Sequence, residues 1–237
     1  MDTRKIATLT GWLMVVTFVT SIPAYFILYA PVRDNPGLIT GSGADPTAGV
    51  ALGAALELIL IIANVGTAVV PYALFRRYSE SLALGYVAAR LVEGTFIAIG
   101  IVSLLTFVFM RQQGTAGTEP ALGQAFVAIY DRAFLVGPGI LAGVANGMIL
   151  GSLMYRSGLL PRGMAMLGII GGPLVAASGI AVMFNVIERG SALQGIATIP
   201  EFIWELSFGI YLIVKGFKAS PIPARAAGEP VAPETGS

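Results

Sequence analysis

The sequence predicts an all-α, polytopic integral membrane protein, with six transmembrane helices in one bundle and both termini cytoplasmic. Three observations carry that expectation. The 237 residues are 56% hydrophobic and only 11% charged, against about 25% charged in soluble domains, and the mean hydropathy is +0.82. Six apolar segments alternate with short polar stretches, each long enough for a bilayer that needs roughly 20 residues per crossing. The cations gather in alternate loops. So little polar surface cannot clothe a water-facing sphere, which excludes a soluble enzyme, a disordered chain and a nucleic-acid binder. The solvent this composition fits is the lipid bilayer, and the net charge of +1 implies no strong electrostatic partner.

The spans are taken in order. Residues 6–29 follow Arg4 and Lys5 and carry no charge. This stretch is longer than a signal peptide's apolar region, and a cut after Ala30 would leave Pro31 first, so a retained span is expected. A loop rich in Pro and Gly leads to Asp45-Pro46, read as an N-cap followed by a first-turn proline. The second span covers about 46–75 and ends at the turn Arg76-Arg77-Tyr78-Ser79-Glu80. The third covers 82–110. The fourth, 121–155, carries Gly137-Pro138-Gly139 near its middle and is expected either to kink or to split there. The fifth, 164–187, contains Gly171-Gly172-Pro173. For the sixth, 199–217, the run Thr198-Ile199-Pro200-Glu201 reads as a capping box with a first-turn proline. These spans form a single domain over residues 1–218. The tail, 219–237, is rich in Pro, Ala and Gly and is expected to be a disordered cytoplasmic segment.

The side of the membrane follows from the cations. One set of loops holds Arg4, Lys5, Arg76, Arg77, Arg156, Arg162, Lys215, Lys218 and Arg225, while the other holds Arg33, Arg111 and Arg189. That imbalance is expected to place both termini in the cytoplasm.

The chemistry-bearing residues are those that lipid should exclude. Glu57, Arg90, Glu93, Asp131, Arg132, Glu201 and Glu205 fall inside spans, and a charge at the bilayer centre costs roughly 2.5–3.5 kcal/mol on insertion scales. Five acids against two arginines leave −3 if all ionise. Glu201 is explained as a capping glutamate at the interface, so the intramembrane polar cluster is Glu57, Arg90, Glu93, Asp131, Arg132 and Glu205. Arg90 and Glu93, three apart, share a helix face. Asp131 and Arg132 are adjacent and point apart, so Arg132 is expected to take Glu205 or Glu57 as its acid. Glu205, about one and a half turns into its span, is placed in the outer half. Two readings stay open for the cluster. It is a buried ion-pair network that locks the bundle, or a path for a small ion or solute. Asn64, Asn146 and Asn185 are expected to bond across helices.

Gly139, Gly143, Gly147 and Gly151 recur every fourth residue, a bare stripe on which another helix can pack. Gly168 and Gly172 continue the pattern in the fifth span. The stripe serves internal packing or, in the rival reading, a non-transporting scaffold or accessory subunit that pairs with a second copy or another membrane protein.

The chain has no cysteine and no histidine, so thiolate metal sites, disulfides and imidazole catalysis drop out. No hydrolase, zinc or nucleotide motif reads through. Ser103, Ser152, Ser178 and Ser207 have no histidine to activate them. No enzyme activity, cofactor or metal is expected.

Four stretches carry a family likeness: Leu74 to Tyr78, Leu84 to Glu93, Tyr155 to Arg162, and Glu205 to Gly209 running on to Phe217. Over roughly residues 5–218 the chain resembles the bacterial membrane family known as domain of unknown function 4386. That resemblance implies a polytopic inner-membrane protein and names no substrate.

Overall fold

The computed structural model describes residues 2–115 and 117–220. The tail expected to be disordered falls, from residue 221 onward, outside the described residues, as does Arg225. Six helices are long and apolar enough to cross a membrane: Thr3–Leu28, Thr47–Phe75, Glu80–Gln113, Pro120–Ser157, Arg162–Met183 and Ala192–Val214. They are called the first to sixth helices below. Among the described residues there is no strand.

The helices form a ring. Each packs against its neighbours in the chain, and the sixth closes on the first. The Arg4 guanidinium fastens that closure by donating to the carbonyls of Leu212, Ile213 (2.8 Å) and Val214 (3.2 Å) at the end of the sixth helix. These are orphan acceptors of a helix terminus, and a cation there also meets the negative end of the helix dipole. The two ends of the bundle therefore lie on one face, here the terminal face.

The bundle's exterior is greasier than its interior. Ile62 is 71% exposed, Val102 63% and Phe26 67%, whereas Arg90, Glu93, Glu57 and Asn64 are buried. Water would penalise this inversion, and hydrocarbon removes the penalty. The chain is a multi-pass membrane protein. Three apolar clusters fill the ring, a small one of Ala54, Leu60, Ile97 and Ile101 between the second and third helices and two larger ones toward the faces. On the terminal face Met14, Phe75, Leu150, Met154, Trp204 and Phe208 pack together. On the opposite face Tyr29, Val32, Val50, Leu104, Phe107 and Tyr130 do so, all from the first four helices and their connections.

Several helix limits differ from expectation. The sixth helix starts at Ala192, seven residues earlier than predicted. Ser191 is the cap, its hydroxyl accepting from the Gln194 N–H at 3.4 Å. The Thr198 hydroxyl instead donates to the Gln194 carbonyl at 2.9 Å, so it caps nothing. Pro200 sits within the helix, as membrane helices tolerate. The fifth helix ends at Met183 and runs unbroken through Pro173. Asn185 lies beyond that end at φ 56°, a left-handed position that asparagine adopts more readily than most. It belongs to a loop, not to a span. The fourth helix neither splits nor ends at Gly137-Pro138-Gly139. It continues as wide π turns over Gly137–Leu141 and Gly143–Leu150, a geometry that Pro138, lacking a donor, helps to initiate. The second helix begins at Thr47. Pro46 therefore stands at the cap position and not in the first turn, and the cap carries no side-chain bond; Asp45, one residue earlier, accepts from the Thr47 hydroxyl (2.6 Å) and N–H (3.0 Å), and those two bonds hold its carboxyl below the usual carboxylate range.

Candidate functional site

A cavity of about 170 Å³ lies at mid-depth, and its lining includes Glu57, Glu93, Glu201, Glu205, Arg90 and Asn64. They reach it in pairs, Glu57 and Asn64 from the second helix, Arg90 and Glu93 from the third, Glu201 and Glu205 from the sixth, and their degrees of satisfaction differ.

The third helix supplies Arg90 and Glu93, one turn apart, bridged at 2.6 Å from Nη1 to Oε2. From the second helix, Asn64 completes the group. Its Oδ1 accepts from Arg90 Nη2 at 2.6 Å and its Nδ2 donates to Glu93 Oε1 at 3.1 Å. The Asn64 carbonyl also accepts from Arg90 Nε at 3.4 Å. All three residues are at most 3% exposed. Every strong donor or acceptor of the ion pair thus meets a partner, the condition under which a buried pair can persist in a low dielectric.

Glu57 has no cation. Two phenols serve it instead: Tyr29 donates to Oε2 at 3.1 Å and Tyr130 to Oε1 at 3.3 Å. Space for these rings comes from glycines. A Cβ on Gly53, one turn before Glu57, would stand 2.8 Å from Tyr29 Cζ, and one on Gly100 would stand 3.0 Å from Tyr130 Cδ2.

A third chain of bonds joins the sixth helix to the rest. Tyr86 donates to Asn146 Oδ1 at 3.0 Å and pairs with the Thr67 hydroxyl at 3.1 Å. Asn146 Nδ2 donates to Glu205 Oε1, and the Asn146 carbonyl accepts from Trp204 Nε1 at 2.9 Å. Starting the sixth helix at Ala192 places Glu205 roughly 20 Å along it, so it lies near mid-depth and not in the outer half.

Glu201 is the exception. It lies one turn before Glu205, is 4% exposed, and neither carboxyl oxygen has a hydrogen-bond partner. It is no interfacial cap. It stands against the glycine faces of the fourth and fifth helices, where a Cβ on Gly147 would come within 2.6 Å of its Oε2 and one on Gly171 within 2.9 Å. The chemistry of a buried carboxyl without partners is incomplete, since such a group costs free energy until something donates to it.

Asp131 and Arg132 are not part of this cluster. Both lie toward the opposite face. Asp131 pairs with Arg189 at 2.7 Å and Arg33 at 3.4 Å, with its side chain 30% exposed. Both arginines also donate to the Tyr25 hydroxyl, and Arg33 stacks on that ring at 3.9 Å. Arg132 is exposed and forms no ion pair with Glu57 or Glu205. The reason is orientation and not depth: Tyr130, two residues earlier, is buried and reaches Glu57, whereas Arg132 faces the outside of the bundle. Without this pair the cavity has four acids and one arginine, so the −3 survives on different residues.

The glycine stripe packs internally. A Cβ on Gly143 would lie 2.7 Å from the Gly172 carbonyl oxygen, one on Gly147 2.6 Å from Gly172 N, and one on Gly151 3.1 Å from Ile169 N. Gly139 completes the row by passing its carbonyl close to Gly179. The fifth helix covers the stripe from Gly143 to Gly151 and leaves no free face there for a partner. Gly168 likewise makes room for Trp204, whose Nε1 would be 2.7 Å from an added Cβ.

The residues that sequence reasoning missed are Tyr29, Tyr130, Tyr86, Thr67 and Trp204. Their only sequence signal is the pairing of a glycine on one helix with a large ring on another, invisible before the helices are placed. Asn64 and Asn146 do bond across helices, in the middle of the polar network.

Comparison with known families agrees with this architecture. A family model described as Domain of unknown function (DUF4386) matches residues 9–216. The chain belongs to this family. No curated protein and no solved structure matches it. The family's matched region takes in five helices whole, the first from residue 9 onward, and every residue of the cavity.

Proposed function

We propose that this DUF4386 protein binds a small cationic solute at mid-depth and carries it across a bacterial plasma membrane, with the terminal face cytoplasmic. The single observation behind this reading is the charge inventory of the cavity, four carboxylates and one guanidinium lining one space. Lipid makes such an excess costly unless carboxyls stay protonated or a cation compensates it. The wide turns of the fourth helix support the same reading. Pro138, Ala142, Gly143 and Asn146 line the cavity, and irregular backbone within a membrane is tolerated where it faces a cavity or protein. The cation distribution supports the orientation. Among the described residues the terminal face carries Arg4, Lys5, Arg76, Arg77, Arg156, Arg162, Lys215 and Lys218, and the opposite face Arg33, Arg111, Arg132 and Arg189. Apolar clusters lie toward both membrane faces of the cavity, and alternating access would open it to each face in turn. In this reading no covalent chemistry occurs.

The test is flux in proteoliposomes, scored with sodium, potassium and protonated amines. Glu205→Gln is expected to reduce flux at least tenfold while the protein remains monodisperse. Flux equal to empty liposomes for every cation, with the protein folded and correctly inserted, would remove the transport reading.

A further inference from the structure

Resting on the small-cation reading, we propose that the occupant is an organic ammonium ion, held by Glu201 and Glu205 and entering from the lipid between the first and sixth helices. Three observations made at different places converge on it. Glu201 supplies two acceptor oxygens with no donor among the described residues, and an ionised carboxylate accepts only, so its partner must bring N–H or O–H groups or a bare cation. Glu205, one turn on, faces the same way, and its Oε1 is already engaged by Asn146.

The remaining wall decides between a bare ion and an organic one. Phe134, Phe202, Val175, Leu60 and Ile97 share the lining. A dehydrated metal cation demands oxygens on most sides, and among the described residues no set of three carboxylates is placed to hold one. An ammonium head with a hydrocarbon body uses both walls. Its N–H groups meet the glutamates, its methylenes the aliphatic side, and phenyl faces attract the cation.

The route follows from which cavity-lining residues are also exposed on the outside of the bundle. The opposite-face apolar cluster is built from the first four helices and their connections, and the sixth contributes nothing to it. On that side Ser21, Thr198 and Phe202 line the cavity, and Thr198 and Phe202 also face outward, Phe202 at 44% exposure. Thr198 sits roughly 9 Å inside the helix start, so this seam, closed by the edge-to-face contact of Phe18 and Phe202, faces acyl chains and not water, and a solute with an apolar body partitions there before it passes the two rings.

The probe is n-hexylamine, protonated at neutral pH, against n-hexanol, which has the same chain and no charge. The protein is held in lipid nanodiscs, with Trp12→Phe leaving Trp204 as the sole indole reporter beside Glu205. Expected are a saturable Trp204 fluorescence change with hexylammonium, none at equal concentration of hexanol, a Kd at least tenfold weaker in Glu201→Gln, and association at least tenfold slower in Ser21→Phe. Equal binding of hexanol overturns the inference, because the carboxylates then select nothing. Binding of sodium or potassium with no binding of hexylammonium overturns it but leaves the small-cation reading standing, and binding of neither overturns both. Should Glu201→Gln fail to fold, the amine–alcohol contrast with native Glu201 decides alone. An unchanged association rate in folded Ser21→Phe overturns the lateral route.

Discussion

The two walls of the cavity treat the same chemical group in opposite ways. On the third-helix wall Glu93 is held by Arg90 and Asn64, within 2.6 Å and 3.1 Å. On the sixth-helix wall Glu201, equally buried, holds nothing. Burial therefore does not separate a structural carboxyl from an available one in this bundle, and partner count does. The Arg90–Asn64–Glu93 group joins two adjacent helices and needs nothing further. Glu201 joins nothing, so selection for packing alone would favour an apolar residue at that position.

The comparison breaks most visibly at Glu93. Truncation by Glu93→Ala strands the Arg90 guanidinium in a low dielectric, and removing one partner of a buried pair costs about 3–5 kcal/mol. The expected outcome in thermal unfolding in detergent is a protein that fails to fold or loses most of its stability. Next comes the packing that presses the sixth helix inward. Gly147→Leu drives a side chain into Gly172 and Glu201, and overpacking of this kind costs about 1–3 kcal/mol. It should lower Tm and, if the sixth helix is displaced, abolish the Trp204 signal. A smaller effect is expected at the opposite face. The partly exposed Asp131 pairs are worth under about 1 kcal/mol, so Asp131→Asn should shift Tm slightly, and less at high salt. The smallest effect sharpens the contrast most. Glu201→Gln is expected to leave Tm unchanged or to raise it, because no bond is lost. A Glu201→Gln variant as unstable as Glu93→Ala would erase the difference between the walls.

Part of the cavity was legible in the sequence and part was not. The i,i+3 spacing of Arg90 and Glu93 put the pair on one helix face. Counting from the expected helix start misplaced Glu205, because the sixth helix begins seven residues earlier and each residue moves a side chain by about 1.5 Å along the axis. Asp131 and Arg132 left the cluster because they do not line the cavity. The Thr198-to-Glu201 run shows how such errors arise. Its capping pattern is real as a spacing, yet Ser191 caps the helix first, and Glu201 moves from the interface into the core.

What the sequence determined alone is the solvent and the count: six apolar stretches with so few charges dissolve only in hydrocarbon, and hydrogen bonding within each helix makes every span self-sufficient. Which carboxyl is satisfied was decided only by the tertiary structure. Partners such as Tyr29 and Tyr130 for Glu57, or Asn146 for Glu205, come from distant helices, and their reach depends on glycines that let rings and backbones approach. That physical quantity is a distance between helices, and no spacing along one helix encodes it.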